Sequence, residues 1–151
     1  MIVRFAGEKD EEQILNLLDQ LLAEVNLKGG FNKTTEGKAP RKKIFAELLA
    51  REDVKMFVVD EAGKLLGFCD FFIVPVVRRG YLQGHIEDLV VDESARGRGV
   101  GTLLLKKLIQ FSRERGIKVI KLTSGLELVD AHKFYGKNGF KFTEKMFRFD
   151  V

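Results

Sequence analysis

Two kinds of hydrophobic pattern alternate along the chain. In the first, apolar residues recur three and four positions apart, as in Ile14, Leu17, Leu18 and their successors up to Val25, which predicts an amphipathic helix. In the second, short apolar runs rich in valine, isoleucine and phenylalanine predict buried strands. Helices are predicted near residues 10–25, 40–49, 102–115 and 129–137, and strands near residues 2–5, 56–59, 65–74, 81–91, 119–122 and from 140 onward.

Turn and capping residues separate these segments. Asp10 is suited to cap the first helix, and Pro40 suits the start of the second. Asp60-Glu61-Ala62-Gly63 lies between two apolar runs and predicts a hairpin turn. Pro75 is expected to limit how far the third strand stays in a central ladder. Residues 26–38 are polar and glycine-rich, which predicts a long loop able to overhang a site.

The predicted order of elements is β-α-α-β-β-β-α-β-α-β. Short turns join the second, third and fourth strands, so these three are expected to be antiparallel. The fifth strand follows a helix and is therefore expected to run parallel to the fourth. We predict an α/β fold with a central mixed, mostly antiparallel sheet, formed by residues 1–151 as one domain.

Composition narrows the class of protein. The 45% apolar and 32% charged residues are typical of a globular domain, and no run approaches the 18 apolar residues of a membrane span. A single cysteine, Cys69, precludes an internal disulfide and favours the reducing cytoplasm. The net charge of +4 is scattered along the chain, which favours an anionic small ligand over nucleic acid.

The segment between the fourth strand and the third helix carries the clearest chemistry. Glycines at alternate positions in 96–102 let successive backbone N–H groups converge on one ligand. The helix N-terminus adds partial positive charge, and Arg96 and Arg98 add full charges. Thr102 stands where a phosphate-binding P-loop needs lysine and where a dinucleotide fingerprint needs glycine. The segment therefore predicts a pyrophosphate site of another kind.

Two motifs carry a family resemblance. Arg96-x-x-Gly99-x-Gly101 resembles the pyrophosphate-binding motif of the GNAT N-acetyltransferases, and residues 131–140 resemble the A-x-x-F-Y-x-K-x-G-F signature of that family. The predicted order of elements also matches the GNAT fold. Residues 84–91 further resemble enzymes that acylate small amines, such as polyamine and glucosamine-phosphate acetyltransferases.

The resemblance implies how acetyl-CoA would bind and react. The pantetheine arm is expected to pair with the fourth strand, where the fifth strand splays away from it, like an added strand. Tyr135 matches the tyrosine that protonates the departing sulfur. The expected cofactor-binding residues are Leu89, Val90, Val91, Arg96, Gly97, Arg98, Gly99, Val100, Gly101, Thr102 and Tyr135.

Glu87 is the predicted base that removes a proton from the amine. Alternation places it on one face of the strand with His85 and Leu89, and a bulge would instead favour Asp88. His85 is a weaker candidate for assistance. We find no metal-ligand spacing and no nucleophile triad, which suits a direct transfer in a ternary complex without a metal.

The predicted function is transfer of the acetyl group of acetyl-CoA to a small primary amine. Alternatives are acetylation of a protein N-terminus or lysine and a non-catalytic acyl-CoA sensor. Nucleic-acid and membrane partners are not expected, whereas the phenylalanine-rich C-terminal strand predicts a homodimer. The sequence does not determine which amine is the substrate, because two sets of charged residues favour different classes. A polyamine is favoured by the acidic residues Glu24, Glu36, Asp70 and Glu87. A phosphorylated or carboxylated amine is favoured by the basic residues Lys28, Lys33, Arg41, Arg78 and Arg79.

Overall fold

The structure is a computed structural model that describes residues 1–29 and 37–151. Five strands form one sheet in the order β1-β2-β3-β4-β5, antiparallel except for the parallel pair β4 and β5. The mixed α/β sheet is as predicted. The strands are β1 Ile2–Phe5, β2 Val54–Glu61, β3 Lys64–Val76, β4 Tyr81–Val91 and β5 Val119–Leu122; the helices are α1 Glu11–Leu27, α2 Lys38–Leu49, α3 Val100–Glu114 and α4 Val129–Lys137.

The sheet separates two hydrophobic clusters. On one face, Ile14 of α1 and Phe45 of α2 pack with Val58 and other β2 and β3 residues. On the other face, Leu104 and neighbouring residues of α3 pack with Phe71 and other strand residues, and α4 adds partly buried aromatic side chains. Burial of these apolar stripes drives the three-layer arrangement. No helix among the described residues is long and apolar enough to span a bilayer.

The hairpin between β2 and β3 turns where the sequence predicted it. Ala62 has φ of 52° and Gly63 has φ of 89°. Two successive left-handed residues match the twist of a tight antiparallel hairpin. The β2–β3 hairpin therefore brings Glu61 to the end of the sheet that also holds the start of α3.

Two helix predictions need correction. Asp10 does not cap α1 through its side chain. Its carboxylate instead accepts hydrogen bonds from the Gly7 N–H at 2.8 Å and the Arg4 guanidinium at 2.7 Å, and this guanidinium holds the Asp10 pKa below its usual value. The apolar pattern of residues 40–49 predicts Ile44 on the buried face of α2, but Ile44 is 54% exposed, because α2 contacts the core chiefly through Phe45.

β3 continues through Pro75 to Val76, but it leaves the central part of the sheet before the proline, as the sequence predicted. β2 pairs with β3 only as far as Phe72, so among the described strands Pro75 pairs only with β4, where it lies opposite Leu82. A proline is tolerated there because its missing N–H leaves no ladder bond unmade.

The predicted C-terminal strand is absent from the described chain after Phe140. Phe142, Phe147 and Phe149 are 86–91% exposed. The neighbouring edge strand β5 has only four residues, a short template for pairing, and the segment is held there by an ion pair of Lys121 with Glu144 at 2.7 Å. The predicted loop 26–38 begins later than expected because α1 reaches Leu27. Residues 30–36, including Lys33 and Glu36, lie outside the described residues.

Candidate active site

The splay between β4 and β5 gives the site a free strand edge. The two strands pair only over Gln83–Ile86 and Val119–Leu122. Residues 89–91 of β4 pair with β3 on one side, and no described strand pairs with their other side. This edge offers main-chain hydrogen-bonding groups to an extended ligand. The splay agrees with the predicted fold.

The turn after β4 presents a group of backbone donors. Gly97 and Gly99 have φ of 78° and 82°, values that side chains rarely adopt, and Gly99 directly precedes α3. Within the described chain, the N–H groups of Gly97 and residues 99–102 have no main-chain acceptor. A side chain added at Gly97 or Gly99 would meet no protein atom within 4 Å. The turn is therefore an open site with free donors at a helix start, which suits a phosphate oxygen.

Gly101 has a packing role that the sequence did not reveal. It is buried, and a Cβ atom there would lie 2.9 Å from the Phe134 ring of α4 and 3.5 Å from Val91. Such a contact is too close for any larger residue unless the Phe134 ring or α4 shifts. Gly101 therefore lets α3 approach the helix that carries Tyr135.

Both arginines of the turn are ion-paired. Arg96 lies 2.9 Å from Glu24 of α1, and Arg98 lies 2.9 Å from Glu61 of the β2–β3 hairpin. Both arginine side chains remain roughly half exposed, at 49% and 44%. Glu24 also accepts from Lys28, and these cations hold the pKa of Glu24 below its usual value. The positive charges of the turn are therefore neutralised by the neighbouring glutamates.

A β-bulge interrupts β4 beside the free edge. Cys69 pairs with Leu89 and Phe71 pairs with Ile86, so Asp70 alone faces the two residues Glu87 and Asp88. Ile86 and Leu89 both pack in the cluster beside α3, although they are three residues apart. Simple alternation would put them on opposite faces. Glu87 and Asp88 therefore both turn away from that cluster, which corrects the predicted sharing of one face by Glu87 and Leu89.

The bulge carboxylates lie in contrasting environments. The Glu87 side chain is 63% exposed, and its carboxylate lies 3.2 Å from His85 Nε2. Burial raises the pKa of Asp88 to about 6, with a further increase from the charge of Glu87 and a partial decrease from Arg41. Asp88 is the member of the pair that can titrate close to neutral pH.

Asp70 is a third carboxyl group that the sequence did not single out as catalytic. It is only 6% exposed, and its Oδ1 accepts a hydrogen bond from the Asp88 N–H at 2.7 Å. Burial raises its pKa to about 7, and the nearby Asp88 charge raises it further. A carboxylate within the apolar run Phe68-Cys69-Asp70-Phe71-Phe72 is the signal that could have marked it, because an unpaired charge is costly in a core.

Tyr135 lies in α4 between two aromatic rings. Its ring centroid is 5.3 Å from that of Phe134 and 5.7 Å from that of Phe140. Burial raises the pKa of Tyr135 to about 12, and the nearby Cys69 and Asp88 groups contribute. Its hydroxyl therefore stays protonated at neutral pH and is available as a donor. His132 of the same helix is exposed, and its Nε2 lies 2.9 Å from the Gly125 carbonyl oxygen.

Comparisons with known proteins identify one family. The model of the acetyltransferase (GNAT) family matches residues 19–140. The chain is 37% identical over 98 residues to a glucosamine 6-phosphate N-acetyltransferase of Trypanosoma brucei brucei, covering 64% of this chain and 65% of that protein. It is 35% identical over 105 residues to an aminoalkylphosphonate N-acetyltransferase of Salmonella typhimurium, covering 70% and 67%.

A solved structure described as a transcriptional regulator from Bacillus halodurans C-125 superposes with a TM-score of 0.85 at 25% identity, covering 99% of both chains. Matches to curated relatives extend over 37–67% of the relatives' own length. The chain thus spans a part of the length of those relatives, and the family match over residues 19–140 includes the turn before α3 and the β4 bulge.

Proposed function

The chain belongs to the acetyltransferase (GNAT) family, and from this premise we propose that it transfers an acetyl group from acetyl-CoA to a primary amine of a small molecule. One observation carries the proposal: the free β4 edge, the donor turn before α3 and the protonated Tyr135 surround the same end of the sheet. Thiol release from acetyl-CoA, measured across a panel of amines, tests it. Acetyl-CoA binding without turnover on any amine would instead identify an acyl-CoA sensor, and turnover confined to peptides would identify a protein acetyltransferase.

The proposed binding mode assigns each part of acetyl-CoA to a part of the site. The pantetheine arm pairs with the main chain of Leu89, Val90 and Val91 along the free edge. The pyrophosphate accepts hydrogen bonds from the unpaired N–H groups of the turn before α3. Arg96 and Arg98 supply the charge once they leave their glutamate partners. The residues of the turn are Arg96, Gly97, Arg98, Gly99, Val100, Gly101 and Thr102.

The proposed reaction is direct. The neutral amine nitrogen attacks the thioester carbonyl carbon, the C–S bond breaks, and the sulfur takes a proton from the Tyr135 hydroxyl. A carboxylate of the bulge takes the proton that the amine loses. We favour Asp88 for this step because it is partly buried and has a pKa of about 6, and Glu87, the base predicted from the sequence, is the alternative.

An anionic amine is the substrate class that we propose to test first. The two curated relatives are named for glucosamine 6-phosphate and aminoalkylphosphonates, which both carry an amine and a phosphorus oxyanion. In this chain, Arg41 of α2 lies close enough to Asp88 to lower its pKa, and the Arg41 side chain is 16% exposed. A cation beside the proposed base suits an amine that also bears a negative group. Amino-sugar phosphates and aminophosphonates should therefore outperform polyamines in the thiol-release assay.

Replacement of Gly99 by valine tests the pyrophosphate site. Valine at φ of 82° is strained and projects into the open space of the turn, so acetyl-CoA should bind about 10-fold more weakly or worse in calorimetry. Gly116→Val is the matched control, because Gly116 also has a positive φ, of 69°, and open surroundings at the far end of α3. Wild-type affinity in a folded Gly99→Val protein would contradict this assignment.

We also propose that the protein forms a homodimer through its C-terminal segment. Phe142, Phe147 and Phe149 together leave an exposed apolar surface beside β5, whose outer edge is unpaired among the described residues. Light scattering at micromolar concentration should give twice the 17.2 kDa chain mass. Phe147→Ser with Phe149→Ser should shift the mass toward that of one chain. A monomeric wild-type protein would contradict the dimer.

We further propose that residues 1–151 act as one domain in the cytoplasm. One sheet includes strands from Ile2 to Leu122, which supports a single domain. The only cysteine, Cys69, is buried with its thiol reduced, which suits a reducing compartment.

A further inference from the structure

The bulge in β4 leaves one backbone donor without its usual partner. At Glu87 and Asp88, two residues face the single residue Asp70 of β3. A bulge of this kind disrupts the ladder locally, so one strand amide must find another acceptor or remain unsatisfied. The Asp88 N–H finds the Asp70 carboxylate, and the N–O distance is 2.7 Å. The side chain of Asp70 thus replaces a main-chain carbonyl oxygen.

The protein keeps a carboxylate at this position despite the cost of burial. Asp70 lies between Phe68 and Phe72, which both pack in the cluster beside α1 and α2, and its residue is 6% exposed. No described lysine, arginine or histidine forms an ion pair with it. An uncharged asparagine would satisfy the same N–H at a lower desolvation cost. Burial raises the Asp70 pKa to about 7, and its side chain can accept the hydrogen bond in the ionised or the neutral form.

Asp70 is also part of a charged group that surrounds the proposed base. The charge of Asp88 raises the pKa of Asp70, because like charges repel. With pKa values of about 6 for Asp88 and about 7 for Asp70, Asp88 ionises first, and Asp70 is largely neutral at the Asp88 midpoint. The titratable or charged groups that face this pair are Glu87 of β4, Arg41 of α2, Cys69 of β3 and Tyr135 of α4.

We propose that Asp70 is a positioning residue for acetyl transfer, whose carboxyl group fixes the β4 bulge and thereby the position of the Asp88 side chain as proton acceptor. This inference rests on the proposed function. The hydrogen bond to the Asp88 N–H fixes which way Glu87 and Asp88 turn. Asp70 itself touches neither the amine nor the thioester in this scheme.

Two substitutions separate the hydrogen bond from the charge. Asp70→Asn keeps an acceptor of the same shape and removes the charge, whereas Asp70→Ala removes both. Hydrogen exchange of the Asp88 amide should stay slow in Asp70→Asn and become at least about 10-fold faster in Asp70→Ala. Asp53→Asn is the matched control, since Asp53 is half exposed and pairs with Arg51 near the opposite end of β2.

The hydrogen bond and the charge are distinguished by titration and kinetics. In carbon-13 titrations of the carboxyl groups, the Asp88 midpoint should stay near its wild-type value in Asp70→Asn, because Asp70 is largely neutral when Asp88 ionises. In Asp70→Ala the midpoint should fall toward the ordinary aspartate value, because the released bulge exposes Asp88 to water. At pH 7, kcat/KM should fall about 10-fold in Asp70→Ala and stay within about 3-fold of wild type in Asp70→Asn, with acetyl-CoA affinity unchanged in both.

The proposal is overturned if Asp70→Ala keeps wild-type exchange at Asp88 and wild-type kcat/KM. It is also overturned if Asp70→Asn loses as much activity as Asp70→Ala, or if the Asp88 midpoint moves by more than about half a unit in Asp70→Asn. Should Asp70→Ala fail to fold, Asp70→Asn still tests the proposal, because an amide acceptor should preserve both slow exchange of the Asp88 amide and kcat/KM. A wild-type protein that acetylates no amine would end the proposed function, and the exchange and titration results would separately show whether Asp70 controls the bulge.

Discussion

Tyr135→Phe will lower kcat by about 100-fold or more while acetyl-CoA binds nearly as tightly as to the wild type. Phenylalanine keeps the ring packing against Phe134 and Phe140, so α4 should remain in place. Only the hydroxyl is lost, and with it the proton for the departing sulfur. Steady-state kinetics on the best amine, together with calorimetry for acetyl-CoA, measure the two effects separately.

The chain supplies a matched control for this variant. Tyr81 is the only other tyrosine and lies at the far end of β4, so Tyr81→Phe should retain wild-type turnover. Raising the pH should not rescue Tyr135→Phe, because added hydroxide supplies no proton to a thiolate. Turnover of Tyr135→Phe near the wild-type rate, or its recovery at high pH, would remove the hydroxyl from the mechanism.

Asp88→Asn should lower kcat/KM at pH 7 by about 100-fold, the usual scale for loss of a general base. In the wild type, Asp88 is protonated below its pKa of about 6 and cannot accept a proton, so kcat/KM should fall as the pH decreases through that value. Asp88→Asn should flatten this acidic limb. High pH should partly rescue it, because more of the amine then arrives neutral.

Glu87→Gln is the comparison that assigns the base. Glu87 is more exposed than Asp88, and we expect its loss to cost less than about 10-fold and to leave the acidic limb in place. The reverse pattern, in which Glu87→Gln flattens the limb and Asp88→Asn does not, would return the role to Glu87. If both variants turn over near the wild-type rate, the site works by positioning alone.

Local sequence signals located most elements of the fold. The helix predicted at 129–137 has those bounds in the structure, because an apolar face ends at Asn138-Gly139, where Gly139 has φ of 89°. The strand at 81–91 was also predicted with its observed bounds, since Gly80 turns the chain with φ of 63°. In each case the information lies within a few residues of the element.

The site depends on contacts that local signals do not encode. The bulge follows from the register of β3 on β4. The run from Leu89 to Val91 is apolar at every position, so the sequence pattern does not show which of its side chains face α3. The hydrogen bond between Asp70 and the Asp88 amide joins residues 18 positions apart. The pairing of Arg96 with Glu24 joins residues 72 positions apart. Motifs could therefore predict the turn before α3 and Tyr135, whereas the partners of these groups required the fold.

In the C-terminal segment, a clear hydrophobic pattern predicted a strand that the structure does not contain among the described residues. Its phenylalanines have the alternation of a strand, yet a strand also needs a neighbour with free backbone groups, and β5 offers only four residues. A hydrophobic pattern alone does not indicate whether the neighbouring strand belongs to the same chain or to another copy.

The ion pairs of Arg96 and Arg98 have a consequence for how ionic strength acts on this protein. Arg96 can bind a phosphate only by leaving Glu24, and Arg98 only by leaving Glu61. The two glutamates therefore compete with an incoming phosphate for the guanidinium groups. Dissolved salt screens the attraction to the incoming phosphate, but it also screens the glutamates that compete for the same guanidinium groups. The two effects oppose each other, and association with a polyanionic ligand becomes less sensitive to salt than two free arginines would make it. In the proposed binding mode, the same exchange would break the two ion pairs that join the turn to α1 and to the β2–β3 hairpin.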